Sequence, residues 1–377
     1  MKSNQFLGGK NMSKAKKIGI LTYHRAYNYG AVLQTYALQS AIQKLDYNVE
    51  IIDYRCDYIE NIGSEKSIKN IIKFILSGHR INQTKKKFIK FRNDKLNLSN
   101  DNFNRDNIEK VADSYEVYIV GSDQVWNYQG SNFDKTYFLD FVKQNMKKKS
   151  YAASFGISGI PPKYEKEYIG LLNEFNDISV REKQGVNIIN NLLGKDCKLV
   201  LDPTLLLSKN EWKEKASITN RIIKEKYLLI YSFGMTDSIY STAKKIAKER
   251  NLKIIMISNS LRYYKNITKF KGCGPLEFLN LFYYADFIIT NSFHGTAFSI
   301  NFKKEFFVET SQGQAVSVNS RIKCFLELLS VEKRDLQYAN ETIPVNYNKI
   351  NQKLIELRKE SMKYLKMIIE KDAIYEN

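Results

Sequence analysis

The sequence has 377 residues, of which 43% are hydrophobic and 13% aromatic. This is enough for a sizeable core and, at roughly 150 residues per domain, for about two domains. Lys and Arg number 59 against 40 Asp and Glu, a formal net charge of +19. No apolar run approaches the ~20 residues of a membrane-spanning helix, which excludes an integral membrane protein of the helical class.

Three explanations of the charge remain open. It can reflect a Lys- and Asn-rich composition with a solvated basic surface. It can form a basic face for anionic substrates or for an anionic membrane. Nucleic-acid binding ranks last, and we expect no nucleic-acid partner, because the short Lys runs are scattered along the chain and form no single aromatic-interleaved stripe.

The cysteines and the amino terminus indicate a cytoplasmic protein. Residues 1–17 carry charge but no apolar signal-peptide core, so we predict a disordered leader. The four cysteines are far apart and form no CxxC motif, which argues against a zinc site or a disulfide framework. The sequence also contains no dense Asp/Glu cluster, and we expect no required metal. The cysteines are Cys56, Cys197, Cys273 and Cys324.

The amino-terminal half opens with a β-loop-α-β unit, which is typical of parallel sheets. An apolar run at 17–23 predicts a strand, 31–45 has helical spacing of its apolar residues, and 47–55 is again strand-like. We predict a first domain over 18–205, with a lysine-rich helical insertion at about 56–110. Further strands are predicted at 115–122, 149–156, 177–182 and 198–203, and a helix at 164–175.

The pattern loosens around 205–225, where we place the domain boundary. A second series of alternating strands and helices follows over 206–345, and an amphipathic helix in 346–377 closes the chain, in a position to pack back on the first domain. The fold class is therefore α/β, with two parallel-sheet domains facing a central cleft. Ligands of such sheets bind beyond the carboxyl ends of the strands.

The loop YHRAYNYGAVLQ (23–34) follows the first strand. Gly30 permits close backbone approach, and Asn28 can cap the following helix or bind a ligand. His24 stands at the mouth of the strand. An ordinary capped turn explains the same residues equally well, and the stretch contains no GxGxxG dinucleotide fingerprint.

The turn VGSDQVWN (120–127) follows another strand. Ser122 and Asp123 can contact a sugar, and the carboxylate can orient a hydroxyl or act as a base. Asp123 can equally cap its own turn. Trp126 either packs the turn down or offers a face on which a sugar stacks.

Two cationic motifs follow later strands. Arg181, in SVREKQG, can bind a carboxylate or phosphate bidentately, or form a surface ion pair. In ADFIITNSFHGTAFSIN (285–301), Asn291 and Ser292 are candidate caps of a helix that holds His294 in its first turn. A helix amino terminus favours a bound anion, for which His294 can be a ligand or acid; it can also simply hydrogen-bond a loop.

Together these blocks resemble the polysaccharide pyruvyl transferase family. The likeness rests on NYGAVLQTYAL, on GSDQVWN with SYAASFG and SVRE, and on ADFIITNSFHGTAFSI, which run in the family's order from about residue 18 to about 330. The resemblance implies a GT-B-like fold of two Rossmann-like domains. It also implies transfer of pyruvate from phosphoenolpyruvate to two hydroxyls of a sugar in a cell-surface polysaccharide or its precursor, giving a ketal and phosphate without a further cofactor.

The resemblance places His294 at the phosphoenolpyruvate site and Arg181 near the donor. Many members have Arg-x-His-Gly where this chain has Asn-Ser-Phe-His-Gly, so either another cation, Arg321 or Lys304, replaces the missing guanidinium or the donor differs. We assign His294, Asp123 and His24 as catalytic candidates. The donor-binding candidates are Arg181, Asn291, Ser292, Gly295, Lys304 and Arg321. The acceptor-binding candidates are Asn28, Gly30, Ser122 and Trp126.

Two other functions remain open. A glycosyltransferase with a nucleotide-sugar donor would share the architecture, and a non-catalytic sugar- or anion-binding protein would share the anion-competent loops. The expected partner is a sugar or oligosaccharide acceptor, free or lipid-linked. The expected location is the cytoplasm, including the inner face of an anionic membrane. The sequence does not predict the oligomeric state.

Overall fold

The computed structural model describes residues 16–60, 68–310, 316–341 and 344–371, with the side chains of 68–80 and 316–318 left undescribed. The predicted leader at 1–17 lies outside the described residues except for its last two, and so does the end of the predicted carboxy-terminal segment from residue 372 onward.

A parallel five-stranded sheet forms the amino-terminal half. Ile18 in the first strand pairs with Val49 on one side and with Val117 on the other, so the first strand is central. The fourth strand is buried along its whole length, which explains its unbroken apolar sequence. The strands are β1 (Lys17–Leu21), β2 (Asn48–Tyr54), β3 (Leu98–Phe103), β4 (Val117–Val120) and β5 (Lys148–Ser150), in the order β3-β2-β1-β4-β5.

Helices cover this sheet, and two short strands extend its edge. Isolated bridges from Lys149 to Asp177 and from Ala153 to Val180 join the short strands to the main sheet. The helices are α1 (Tyr29–Gln43), α2 (Asp57–Glu60), α3 (Ile68–Lys95), α4 (Pro162–Asn173) and α5 (Lys183–Leu193), and the short strands are β6 (Ser179–Val180) and β7 (Lys198–Leu199).

The segment predicted as a helical insertion, at about 56–110, contains α2 and α3 but is not only helical. The segment contains β3, which pairs in parallel with β2, so α3 is a crossover helix within the sheet. The sequence of this strand, LSNDNF, is polar because it lies at the sheet edge, and only its last residue is fully buried. Such a strand lacks the apolar alternation by which strands are predicted.

The carboxy-terminal half repeats the same topology. Its strand order is β10-β9-β8-β11-β12, again with the first strand in the centre. The strands are β8 (Tyr227–Tyr231), β9 (Lys253–Ile257), β10 (Ile267–Phe270), β11 (Phe287–Thr290) and β12 (Glu305–Val308). The helices are α6 (Lys209–Lys215) in the connection between the sheets, then α7 (Asp237–Glu249), α8 (Pro275–Tyr284), α9 (Phe293–Asn301), α10 (Val316–Leu328) and α11 (Tyr347–Glu370).

The two halves share one hydrophobic cluster. The ring of Tyr29, at the start of α1, stacks on Phe278 of α8 with centroids 4.5 Å apart. The last helix returns to the first half, where Ser361 accepts a hydrogen bond of 3.0 Å from the Leu201 amide. The result is the GT-B-like arrangement of two Rossmann-like domains facing a cleft. No helix in the described ranges is long and apolar enough to cross a bilayer.

Candidate functional site

A cavity of about 560 Å³ opens between the carboxyl ends of the two sheets. Residues that follow β1 and β4 form one wall, and residues that follow β8 and β11 form the other. Its lining comprises Tyr23, Ala26, Tyr27, Asn28, Ala31, Ile59, Asp123, Gln124, Gly130, Phe233, Ser292, Phe293, His294 and Arg321.

The amino termini of α1 and α9 meet at this cavity. Ser292 caps α9 and accepts a 3.3 Å hydrogen bond from the Gly295 amide, while Asn28 caps α1 and accepts one of 2.9 Å from the Gly30 amide. A Cβ added at Gly30 would lie 2.0 Å from Nδ1 of His294, so the imidazole lies directly against the backbone of α1. The positive ends of two helix dipoles therefore favour an anion at this point.

Asp202, which follows β7, lies behind the cavity and contacts both Arg181 and His294. Its buried Oδ2 lies 2.8 Å from Nη1 of Arg181 and 3.5 Å from Nε2 of His294. Its Oδ1 accepts hydrogen bonds from the amide and hydroxyl of Thr204. Burial alone would raise the pKa of Asp202, but the charges of His294 and Arg181 and these hydrogen bonds outweigh it and hold the pKa below its usual range.

Arg181 lies behind the cavity wall rather than on it. Its Nη2 is 3.2 Å from Asp123 Oδ1, its Nε is 3.7 Å from Glu182 Oε2, and its guanidinium carbon lies 4.7 Å from the centre of the Phe293 ring. Burial would lower its pKa, but the surrounding carboxylates, Asp123 first, raise it. In this structure Arg181 is thus a buried, ion-paired cation and not a ligand that is free to bind the donor.

Arg321, on α10, is the guanidinium that lines the cavity. With the Gln124 amide oriented so that its oxygen faces Arg321, this oxygen lies 3.2 Å and 3.3 Å from the two Nη atoms. Across the described ranges, no carboxylate forms an ion pair with Arg321, and its buried Nε lacks a hydrogen-bond partner, whereas Nε2 of His294 faces Asp202. Burial first, and then the charge of Arg181, lower the pKa of Arg321 to about 10.

A comparison with protein families identifies the chain. Residues 28–312 match the family described as polysaccharide pyruvyl transferase. The chain belongs to this family. No curated protein matches the sequence significantly.

Solved structures similar to this pyruvyl transferase family member include the UDP-GlcNAc 2-epimerase from Methanocaldococcus jannaschii, at 13% identity and a TM-score of 0.49. This match covers 91% of this chain and 92% of that one. Another is the glycosyltransferase SnogD from Streptomyces nogalater, at 9% identity and a TM-score of 0.41, covering 94% of this chain and all of the other.

Several predicted site residues of the family member line the cavity or support it. Asp123 and Asn28 line it together with Ser292, His294 and Arg321. Gly30 and Gly295 allow close packing, since a Cβ at Gly295 would lie 2.2 Å from the Thr290 hydroxyl. Asn291 supports the opposite loop, because its Oδ1 accepts a 2.9 Å hydrogen bond from the Phe233 amide.

The structure corrects the catalytic assignment of His24 and the donor assignment of Lys304. His24 is fully buried and its Nε2 lies 2.8 Å from Asp53, so it cannot act as a base in the cavity. Lys304 precedes β12 and therefore lies at the amino end of the sheet, opposite the cleft, where its Nζ is 6.0 Å from the centre of the Tyr283 ring. Burial lowers the pKa of Lys304 to about 8.

Two acceptor assignments also need correction. Trp126 is completely buried, its ring packs on Phe138 and Phe155, and its Nε1 donates to the Tyr137 carbonyl, so it offers no sugar-stacking face. Ser122 is buried as well and donates its hydroxyl to the Ala152 carbonyl.

Sequence reasoning missed Asp202, although LVLDP (199–203) places a carboxylate directly after a strand, as in the other motifs. In the described residues, no group of three or more His, Cys, Asp and Glu side chains is arranged to hold a metal ion.

Proposed function

We propose that this protein transfers pyruvate from phosphoenolpyruvate to two hydroxyls of a sugar, forming a cyclic ketal and releasing phosphate. The observation that carries the proposal is the meeting of His294 and Arg321 on one cavity beside two helix amino termini. Such a pocket suits a small ligand with several negative charges. Family membership supports the choice of phosphoenolpyruvate.

Arg321 takes the place of the missing arginine in this proposal. The family's Arg-x-His-Gly pattern puts an arginine two residues before the histidine, where this chain has Ser292. Arg321 reaches the same cavity from α10, and none of the described carboxylates forms an ion pair with it. Its guanidinium would bind the phosphate or carboxylate of the donor, and the α9 terminus would bind the other group.

The reaction needs one acid and one base. His294 protonates the methylene carbon of phosphoenolpyruvate, which becomes a methyl group and leaves an oxocarbenium-like centre at C2. The first sugar hydroxyl attacks C2 and loses its proton to Asp123, which lines the same cavity. Phosphate then leaves C2, and the second hydroxyl closes the ring and gives its proton to the phosphate. Asp202 and Arg181 act as positioning residues behind His294 and Asp123.

A product assay separates this reaction from its main rival. Phosphate release from phosphoenolpyruvate is measured with a panel of sugars and compared with nucleoside diphosphate release from nucleotide sugars. We expect phosphate release with at least one sugar, and a loss of about 10²–10⁴-fold in His294→Asn. Nucleoside diphosphate release alone would establish a glycosyltransferase. Binding of phosphoenolpyruvate or sugars without any turnover would establish a binding protein.

A further inference from the structure

Two segments from different halves of the chain form one continuous surface beside the cleft. The first is residues 81–92 of α3, and the second is the loop and strand at 258–271. Nδ2 of Asn259 donates a 3.0 Å hydrogen bond to Oγ1 of Thr84, and a Cβ added at Gly272 would lie 2.9 Å from Gln83 Oε1. We call this surface the basic face.

The two segments of the basic face contain nine Lys and Arg residues and no Asp or Glu. Some of these charges are already engaged: Lys87 pairs with Glu277, Lys90 pairs with Asp94, and Arg92 is buried. Among the described residues, five others are exposed and take part in no ion pair. These five are Lys85, Lys86, Arg262, Lys265 and Lys271.

Apolar side chains project from the same surface. Tyr263 is 80% exposed, the most exposed of the large hydrophobic side chains in the described residues, and Leu261 is 45% exposed. Lys269 fixes the loop from inside by donating a 2.9 Å hydrogen bond to the Ser260 carbonyl. Exposed apolar groups surrounded by cations are the combination that binds the boundary between lipid headgroups and acyl chains.

The basic face adjoins the mouth of the cavity. Nζ of Lys85 lies 5.1 Å from the centre of the Tyr27 ring, and Tyr27 lines the cavity. A bilayer that touched the basic face would therefore lie next to the entrance through which an acceptor must pass.

We infer that the basic face docks on an anionic lipid bilayer and that the acceptor is presented from that bilayer as a lipid-linked sugar. The second half of this inference rests on the proposed function, whereas the docking itself does not. Charge complementarity argues for an anionic surface. Leu261 argues for a bilayer rather than a nucleic acid, because an exposed aliphatic side chain neither stacks on bases as an aromatic ring does nor binds phosphate.

The test is co-sedimentation of the full chain with vesicles of phosphatidylcholine, and with vesicles of equal parts phosphatidylcholine and phosphatidylglycerol. We expect binding only to the anionic vesicles. Since a basic residue near such a surface contributes about a fivefold gain in binding, Arg262→Gln/Lys265→Gln should bind about 25-fold more weakly. The matched control is Lys353→Gln/Lys359→Gln, which removes the same charge from the exposed side of α11. Tyr263→Ser is compared with Ile355→Ser, whose side chain is 63% exposed on α11.

Loss of binding confined to the variants of the basic face would support the inference. An equal loss of vesicle binding in the α11 controls would show that binding depends only on general surface properties such as net charge, and would overturn the inference. Failure to bind anionic vesicles, or binding of single-stranded RNA in their place, would also overturn it. Because no substrate is present, these outcomes are independent of whether phosphoenolpyruvate is the donor. If the protein docks but releases phosphate only with free sugars and not with lipid-linked sugars, the inference that the bilayer presents the acceptor would be refuted.

Discussion

Replacing Gly30 by alanine should separate catalysis from folding. The new Cβ would lie 2.0 Å from Nδ1 of His294, whereas ordinary contacts begin at 3.4 Å, so the ring must move by about 1.4 Å (3.4 minus 2.0). A displacement of ~1 Å at a reacting group can cost about 100-fold in rate. We therefore expect phosphate release from phosphoenolpyruvate to fall by at least about 100-fold.

The folded state should tolerate the same change. Gly30 lies in the first turn of α1 and has no positive φ, so alanine fits the backbone and favours the helix by ~1 kcal/mol. Overpacking costs about 1–3 kcal/mol, which leaves a net loss of about 0–2 kcal/mol in the free energy of unfolding. Urea denaturation measures this loss and a phosphate-release assay measures the rate.

Gly170→Ala is the matched control for this experiment. Gly170 lies in α4, and an added Cβ there meets no atom within 4 Å, so both stability and activity should be kept or slightly improved. A Gly30→Ala protein with wild-type turnover would refute the placement of His294 in the reaction. A variant that loses activity only because it unfolds would fail to support it.

Three further predictions concern the charges and the buried indole. Arg321→Met should raise the free energy of unfolding of the ligand-free protein by about 1 kcal/mol, because folding lowers the pKa of Arg321 to about 10 and so disfavours the cation. The same variant should abolish phosphoenolpyruvate binding in calorimetry, and retained binding would contradict the donor role. Asp202→Asn should lower the free energy of unfolding by about 3–5 kcal/mol by leaving Arg181 undercompensated. Because folding lowers the pKa of Asp202, its carboxylate contributes its full stabilisation above about pH 4 and loses it as the pH falls further. The unfolding free energies of wild type and variant, measured in urea, should therefore converge at low pH. Trp126→Ala should cost about 3–5 kcal/mol in stability without changing the acceptor KM, and a raised KM in a stable protein would restore the sugar-stacking role.

Most strands of the fold could be predicted from the sequence because they are buried on both faces. The run FIIT of β11 and the run YLLIY of β8 are apolar throughout, as parallel strands between helices must be. The edge strand β3 was not predicted, because its side chains are largely exposed to solvent and its sequence is therefore polar. Local sequence does not determine whether such a segment extends and pairs with a neighbouring strand.

The candidate site was predictable where a residue follows a strand. His294 and Asp123 both follow strands and reach the cavity. Lys304 precedes its strand, and the direction of a parallel strand alone places it at the opposite edge. The pairing of Arg181 with Asp202 could not be predicted in the same way, because it depends on contacts between β6 and β7 that are only two residues long.

The stacking of Tyr29 on Phe278 has a consequence for how substrates meet. A hinge motion that opened or closed the cleft would have to separate these rings and disrupt the hydrophobic cluster that the two halves share. We expect instead that the gap keeps its width, that both reactants diffuse into a space already shaped for them, and that heating melts the two lobes in a single calorimetric peak.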